Sequence, residues 1–267
     1  MINKTECVIS TGTYVNNLEE LRAQLSLRTA EEAAKCGYRL VVVDGSPVEE
    51  FRRELSARGA MVYTEEEKGM GPARRQAIRI ATELAGSDGA VCFIEPEKGP
   101  LVKHLDKCFE AVFSGADIVV PCRSPKSWES YPRLQRLNEP FGSYSFEIAT
   151  GRGDLDMFFG PRLFNAVSAD LFLKRRPGVH GGDSWGTTHY PVIEAIHLGY
   201  KVVGVLVDYI HPPEQTAFED NPSFYIKRLD QIAQLAAGTF LYAMKLGLME
   251  KDPDLLARFE KEFGAAK

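Results

Sequence analysis

Apolar positions along this chain follow two periods. Short β-branched and aliphatic runs mark strands at residues 7–11, 39–43, 60–64, 90–94, 117–122 and 201–208. Between them, apolar residues recur three or four apart, the spacing of a helix face. Leu18, Leu21 and Leu25 do so up to Gly37, a polar helix fits residues 48–58, and Ala73, Ala77, Ile80, Ala81 and Leu84 form a third stripe. Leu101, Leu105, Cys108 and Val112 predict a fourth, and residues 190–198, closed by Gly199, a fifth. Asp44-Gly45-Ser46-Pro47 is a turn, and Pro72 opens a helix where its missing N–H costs nothing. Strands alternating with helical crossovers predict an α/β fold: a mostly parallel central sheet covered by helices on both faces.

Two regions depart from this rhythm. Residues 123–160 are rich in Pro, Gly, Ser and aromatics without clear period, and read as a long irregular segment. Its aromatic residues, Trp128, Tyr131, Phe141, Tyr144, Phe146, Phe158 and Phe159, predict an ordered, site-forming region. From Asp220-Asn221-Pro222 a helix with the stripe Tyr225, Leu229, Ile232, Ala236 and Phe240 runs to residue 246. Asp252-Pro253 starts a last short helix carrying Leu255, Leu256 and Phe259. Residues 1–219 are therefore read as the α/β domain and 220–267 as a helical extension packed on it. The stripe of that extension can bury itself on its own domain or on a second subunit, so homo-oligomerisation stays open.

Composition narrows the function classes. The 267 residues are 44% hydrophobic and 26% charged, with a net charge of -5, so the chain is globular and no basic run suits nucleic acid. No stretch has the length of a transmembrane span or a signal-peptide core, which predicts a soluble, cytoplasmic protein. The five cysteines, Cys7, Cys36, Cys92, Cys108 and Cys122, are odd in number and lack C-x-x-C spacing. They read as buried small side chains rather than a disulfide framework or zinc site.

In open parallel sheets, ligands bind beyond the carboxyl ends of the strands. In turn, those ends carry Thr11-Gly12-Thr13-Tyr14, Asp44-Gly45-Ser46, residues 65–71, Glu95-Pro96-Glu97-Lys98, Arg123-Ser124 and Tyr209-Ile210-His211. Acids and bases meeting at one edge suit a phosphorylated, metal-assisted ligand. Arg74 and Arg75 lie in the first turn of a helix, at its positive end, where an anion would relieve the conflict. An ion pair with Glu65, Glu66 or Glu67 would do the same.

This order of elements and these motifs resemble the GT-A fold nucleotide-sugar glycosyltransferases, above all family 2 and related small-glycoside synthases. The resemblance spans residues 5–215. It implies that Thr11, Gly12, Thr13 and Asp44 cradle the nucleotide, and that the glycine loop entering a helix is Gly69-Met70-Gly71-Pro72-Ala73-Arg74-Arg75. Gly71, Arg74, Arg75 and Lys98 then serve the diphosphate. The family's metal-holding Asp-x-Asp falls at Glu95-Pro96-Glu97, with His211 as third ligand of a Mn²⁺ or Mg²⁺ ion. Lys98 could instead neutralise the diphosphate by itself. Asp183, in Gly181-Gly182-Asp183-Ser184-Trp185, stands where inverting members carry the general base, and would be unneeded in a retaining reaction. Trp185 and His189 are candidates for acceptor contacts. Asp154 and Asp156, beside Arg152, would either meet acceptor hydroxyls or form internal ion pairs.

The predicted activity is hexosyl transfer from a nucleoside-diphosphate sugar to an unidentified acceptor. Two alternatives remain: a nucleotidyltransferase of related fold, and a non-catalytic nucleotide-sugar binder. The first is weakened because residues 11–16 hold one Gly and no basic residue. No G-x-G-x-x-G follows the first strand and no G-x-S-x-G occurs, which disfavours dinucleotide oxidoreductases and serine hydrolases.

Overall fold

The computed structural model describes residues 2–176, 179–251, 253 and 257. In chain order the elements are β1 (Cys7–Thr13), α1 (Leu21–Lys35), β2 (Arg39–Asp44), α2 (Glu49–Ala57), β3 (Met61–Thr64), α3 (Met70–Ala85) and β4 (Ala90–Phe93). A 3₁₀ turn (Gly99–His104) leads into α4 (Leu105–Phe113), then β5 (Ile118–Arg123), α5 (Pro125–Glu129), α6 (Arg133–Thr150), β6 (Arg162–Asn165) and α7 (Ala166–Leu173). A second 3₁₀ turn (Trp185–Thr188) precedes α8 (Tyr190–His197), β7 (Val202–Val207), α9 (Pro213–Glu219) and α10 (Pro222–Leu246). The short helix expected from Asp252 lies mostly outside the described residues.

The seven strands form one sheet in the order β3-β2-β1-β4-β6-β5-β7, parallel except for β6. Alternate residues of each strand feed opposite faces. Ile9, Leu40, Val42, Cys92 and Val119 pack with Ala30, Phe51 and Phe109 on one side. Val8, Val41, Val43, Phe93 and Val120 pack with Ala77, Phe172 and Ile193 on the other. This is the three-layer arrangement the alternating pattern predicts. All five cysteines are free thiols. Among the described residues, no helix is long and apolar enough to cross a membrane.

The structure corrects the reading of residues 123–160 as irregular. Most of that segment is helical, in α5 and the 18-residue α6. Pro140 and Gly142 break the sequence pattern of α6, but packing overrides them: Gln135, Glu139, Gly142, Phe146 and Ala149 make a buried stripe at helical spacing. Gly142 is small because the Phe158 ring lies against it. A strand and a helix, β6 and α7, also escape the periodicity reading, since β6 holds only four residues and begins with a charged one. By contrast α10 spans residues 222–246 as its cap and stripe predict: the Asn221 side chain accepts from Phe224 N at 3.1 Å, and the helix ends at Gly247. It packs on α6 and α8.

The sheet opens at the boundary where β2 lies on one side of β1 and β4 on the other. Ser10 pairs level with Phe93, the last residue of β4, while β1 continues beside β2 to Thr13. The early end of β4 leaves a step at the carboxyl edge of the sheet, and residues 95–98 turn over it.

Candidate active site

A cleft of about 980 Å³ occupies that step. Its volume is ample for a sugar nucleotide. One wall is made by Gly12, Thr13, Gly45, Glu65 and Gly69, from the ends of β1, β2 and β3 and the loop into α3. The floor is Arg74, Phe93, Glu95, Glu97 and Lys98. The opposite wall combines α6, residues 157–160, Trp185, Thr188 and His189 with one face of α9 and α10. Both expected parts of the chain, 1–219 and 220–267, therefore contribute to the cleft.

Asp44 is fully buried and does not line it. Its Oδ1 accepts from Thr13 Oγ1 at 2.8 Å and Ser46 Oγ at 2.6 Å, and its Oδ2 lies 3.2 Å from Arg52 Nη1. The carboxylate is satisfied from within and ties the ends of β1 and β2 together. Thr11 is likewise buried. Thr13, itself buried, and Glu65, whose carboxyl lies over Gly45, line the cleft at this end.

On the floor, Glu95 Oε2 and Glu97 Oε2 are shielded from water and accept no hydrogen bond. Gly160, at φ +95°, approaches so closely that a Cβ there would overlap the Glu95 carboxyl. Arg22 Nε stands 3.6 Å from Glu97. Burial opposes the Glu97 charge, but Arg22, Lys98 and Arg228 outweigh it and hold the pKa below the usual carboxylate range. Lys98 is buried, its Nζ 3.3 Å from the Tyr131 hydroxyl and 5.0–5.4 Å from the ring centres of Tyr131, Phe159 and Tyr209. Burial works against its charge too, yet Tyr131, Tyr209, Glu95 and Glu97 raise its pKa above the ordinary lysine value. Glu97 and the buried Lys98 thus favour each other's charged forms on the floor.

Arg74 donates from Nη1 to Ser184 O at 3.0 Å and Thr187 Oγ1 at 2.8 Å. Its hydrogen-bond partners are neutral, and burial lowers its pKa against the pull of Glu95. Its charge faces the cleft without a hydrogen-bonded carboxylate, as the anion-partner reading requires. Arg75 behaves differently: its Nη1 pairs with Asp183 Oδ1, not with residues 65–67. Gly71 lies directly under Asp183 and leaves room for it. Neither Arg75, Gly71 nor Asp183 lines the cleft, so the structure does not bring the expected base to it.

His211 is also set apart. It is buried, with Nδ1 2.7 Å from Thr216 Oγ1 and its ring 4.5 Å from that of Tyr131. Burial, then Lys98 and Arg228, push its pKa down to about 2, so the ring is neutral. Among the described residues no three His, Cys, Asp or Glu side chains group to hold a metal, so His211 does not complete a set with Glu95 and Glu97.

Asp154 and Asp156 are internal ion-pair partners. Asp154 chelates Arg152 at 2.7 Å, and Asp156 accepts from Arg123 Nε and Nη2 at 2.7 Å. Arg123 is buried, lies 3.7 Å over the Trp128 ring and also faces Glu139 at 2.6 Å. Neither aspartate reaches the cleft. Trp185 and His189 do. Burial, then Arg162, lowers the His189 pKa to about 3, and its Nε2 lies 2.9 Å from Thr239 Oγ1.

Several residues that build the wall carry no sequence motif. Behind it, Arg162 is fully buried and donates to the carbonyls of Met157, Pro161 and Thr188 at 2.7–3.2 Å. It joins the loop before β6 to the turn before α8. Phe224, Arg228, Gln231 and Leu235 recur at helical spacing along the cleft face of α10, one position ahead of the apolar stripe. That mixed face is the only sequence signal for them.

No protein-family model matches the chain, and no curated protein does. Solved structures do. A Mycobacterium tuberculosis glucosyl-3-phosphoglycerate synthase in complex with Mn²⁺, UDP and glucosyl-3-phosphoglycerate is 15% identical, with a TM-score of 0.56 over 92% of this chain and 81% of that one. The same synthase with Mn²⁺, UDP-glucose and phosphoglyceric acid gives 15% and 0.57 over the same shares. A mycobacterial protein gives 14% identity and 0.59 over 90% of this chain and 74% of its own. The likeness establishes the GT-A fold that the motif order predicts.

Proposed function

We propose that the protein is a glycosyltransferase that moves a hexose from a nucleoside-diphosphate sugar to an acceptor hydroxyl. The observation that carries this reading is the floor of the cleft. Two carboxylates, each with a buried oxygen that accepts no hydrogen bond, line the cleft with Arg74 and Lys98 at the carboxyl edge of the sheet, where this fold takes ligands. The fold neighbours crystallised with UDP and UDP-glucose support a uridine donor.

In the proposed reaction the anomeric carbon–phosphate oxygen bond breaks, the acceptor oxygen bonds to that carbon, and the acceptor proton is released. Gly12, Thr13 and Glu65 bind the nucleoside, with Glu65 accepting from its N–H or O–H groups. Arg74 and Lys98, both buried, hold the charge that builds on the departing diphosphate, and their shielding from bulk solvent strengthens that interaction. The Glu95 and Glu97 oxygens that accept no hydrogen bond would suit a hard divalent cation, with Arg22 the competing partner of Glu97. When bound, such an ion supplies further positive charge to the leaving group. Asp183 is not assigned a role, because its carboxylate is engaged by Arg75.

The far wall favours an acidic acceptor. Lys227 Nζ lies 5.8 Å from the ring centre of Trp185 and 5.3 Å from that of Phe224, and its pKa falls through partial desolvation and then through repulsion from Arg228 and Arg22. A carboxylate or phosphate on the acceptor would relieve that repulsion, as would the phosphoglyceric acid bound by the fold neighbour.

The test is a thermal-shift titration with UDP, GDP, CDP, TDP and their sugar conjugates, each with and without Mn²⁺. A ligand at about 100 times its Kd stabilises by roughly 2.7 kcal/mol. Stabilisation by a uridine nucleotide, followed by sugar transfer to 3-phosphoglycerate or a related acid, is expected. No response to any nucleotide overturns the reading. Pyrophosphate release from a nucleoside triphosphate moves it to the nucleotidyltransferase alternative, and binding without turnover to the non-catalytic one.

A further inference from the structure

We propose that the outer face of α6 is a self-association surface, on which a second copy of the chain docks antiparallel about a twofold axis. The helix has a buried face and an exposed apolar one. The inner one, from Gln135 to Ala149, packs into the domain, and its Gln135 and Glu139 reach the cleft. On the opposite side Leu137, Phe141, Tyr144 and Ile148 are 63%, 62%, 58% and 51% exposed. Their spacing, i, i+4, i+7 and i+11, is that of a helix face buried against another helix. A single exposed apolar residue is ordinary, whereas four large ones in one stripe mark a contact surface.

Charge selects the partner. Exposed Arg133 and Arg136 lie at the start of α6 and exposed Glu147 near its end. Among the described residues neither Arg136 nor Glu147 makes an ion pair. A twofold axis at the middle of the stripe sets Leu137 against Ile148 of the second copy and Phe141 against its Tyr144. The same axis brings Arg136 to Glu147 of the second copy, and the reverse, as a closed twofold interface demands. It also opposes the two helix dipoles, while a parallel pairing would set arginine beside arginine. The surface lies on the side of α6 away from the cleft, so the inference is independent of the proposed sugar transfer.

Sedimentation equilibrium of the full chain over a concentration series tests it. A reversible dimer is expected. Leu137→Glu and Phe141→Glu should each raise its Kd at least tenfold while leaving the thermal unfolding midpoint close to wild type. Arg136→Glu and Glu147→Arg should each weaken the dimer, and the double variant carrying both should restore it. A wild-type chain that stays monomeric overturns the proposal, as does a dimer indifferent to the stripe variants. Failure of the double variant to restore association overturns the antiparallel register. Flotation of a monomeric chain with phosphatidylcholine–phosphatidylserine vesicles would assign the stripe to lipid instead, and so overturn it.

Discussion

Lys98 holds its ammonium 3.3 Å from the Tyr131 hydroxyl, inside a cage of Tyr131, Phe159 and Tyr209 and within the field of Glu95 and Glu97. The aromatic faces attract the cation, and the cage keeps it from following solvent. Lys98→Met should keep the cage filled, because the thioether packs well against rings. The variant should fold, but UDP affinity by calorimetry should fall ten- to a hundredfold, the worth of about one charged hydrogen bond. Unchanged affinity would remove Lys98 from the donor site.

Glu97→Gln keeps the shape of the floor and removes one charge. The extra thermal stabilisation that Mn²⁺ gives to the UDP complex should disappear, while Glu65→Gln should weaken UDP binding with and without the ion. Were Mn²⁺ to help both variants equally, the ion would be bound elsewhere.

Asp156→Ala separates structure from recognition. It strips a buried arginine of a bidentate partner, which costs about 3–5 kcal/mol in urea denaturation. Asp154→Ala removes an exposed pair and should cost under about 1 kcal/mol. A role in acceptor binding would instead show as a raised acceptor KM with stability intact.

His189 and His211 give the fold a pH dependence. Their folded pKa values, about 3 and about 2, lie below that of a histidine in the unfolded chain. Between those values and about 6.5 the unfolded state binds more protons, so stability rises with pH, and full stability returns above that window. Each ring should contribute a slope near 1.4 kcal/mol per pH unit between about pH 4 and 6. Urea denaturation of His189→Gln across that range should show one ring's slope missing.

Six of the seven strands were legible because buried runs such as Val41-Val42-Val43 admit one reading when a turn follows at once, while β6 was too short to show. The α10 boundaries were legible because Asn221 and Pro222 announce a helix chemically. The α6 helix was hidden by Pro140 and Gly142, whose local preferences are overruled by tertiary packing against Phe158. In the site, the acidic turn 95–98, Arg74, Trp185 and His189 were found through their place after strands and before helices. Asp183, Asp154 and Asp156 do not line the cleft, and they share one reason. A carboxylate offered to a ligand and one answering an arginine look alike in sequence, and here Arg75, Arg152 and Arg123 claim all three. Arg228 and Gln231 went unseen because a helix face carries no motif.

The reversed strand β6 has a consequence for how the molecule assembles. Among the described residues it is the only strand that joins the block β3-β2-β1-β4 to the pair β5-β7, paired with Phe93 on one side and with Val119 on the other. Until residues 162–165 slot into that gap, the two blocks share no strand pairing, and closing it joins segments distant along the chain, a slow kind of event. Residues 157–160, which wall the cleft and shield Glu95, enter with the same strand. Completion of the sheet and creation of the ligand pocket are therefore one step. A half-assembled chain has no pocket to offer, and ligand capture reports that the last strand has arrived.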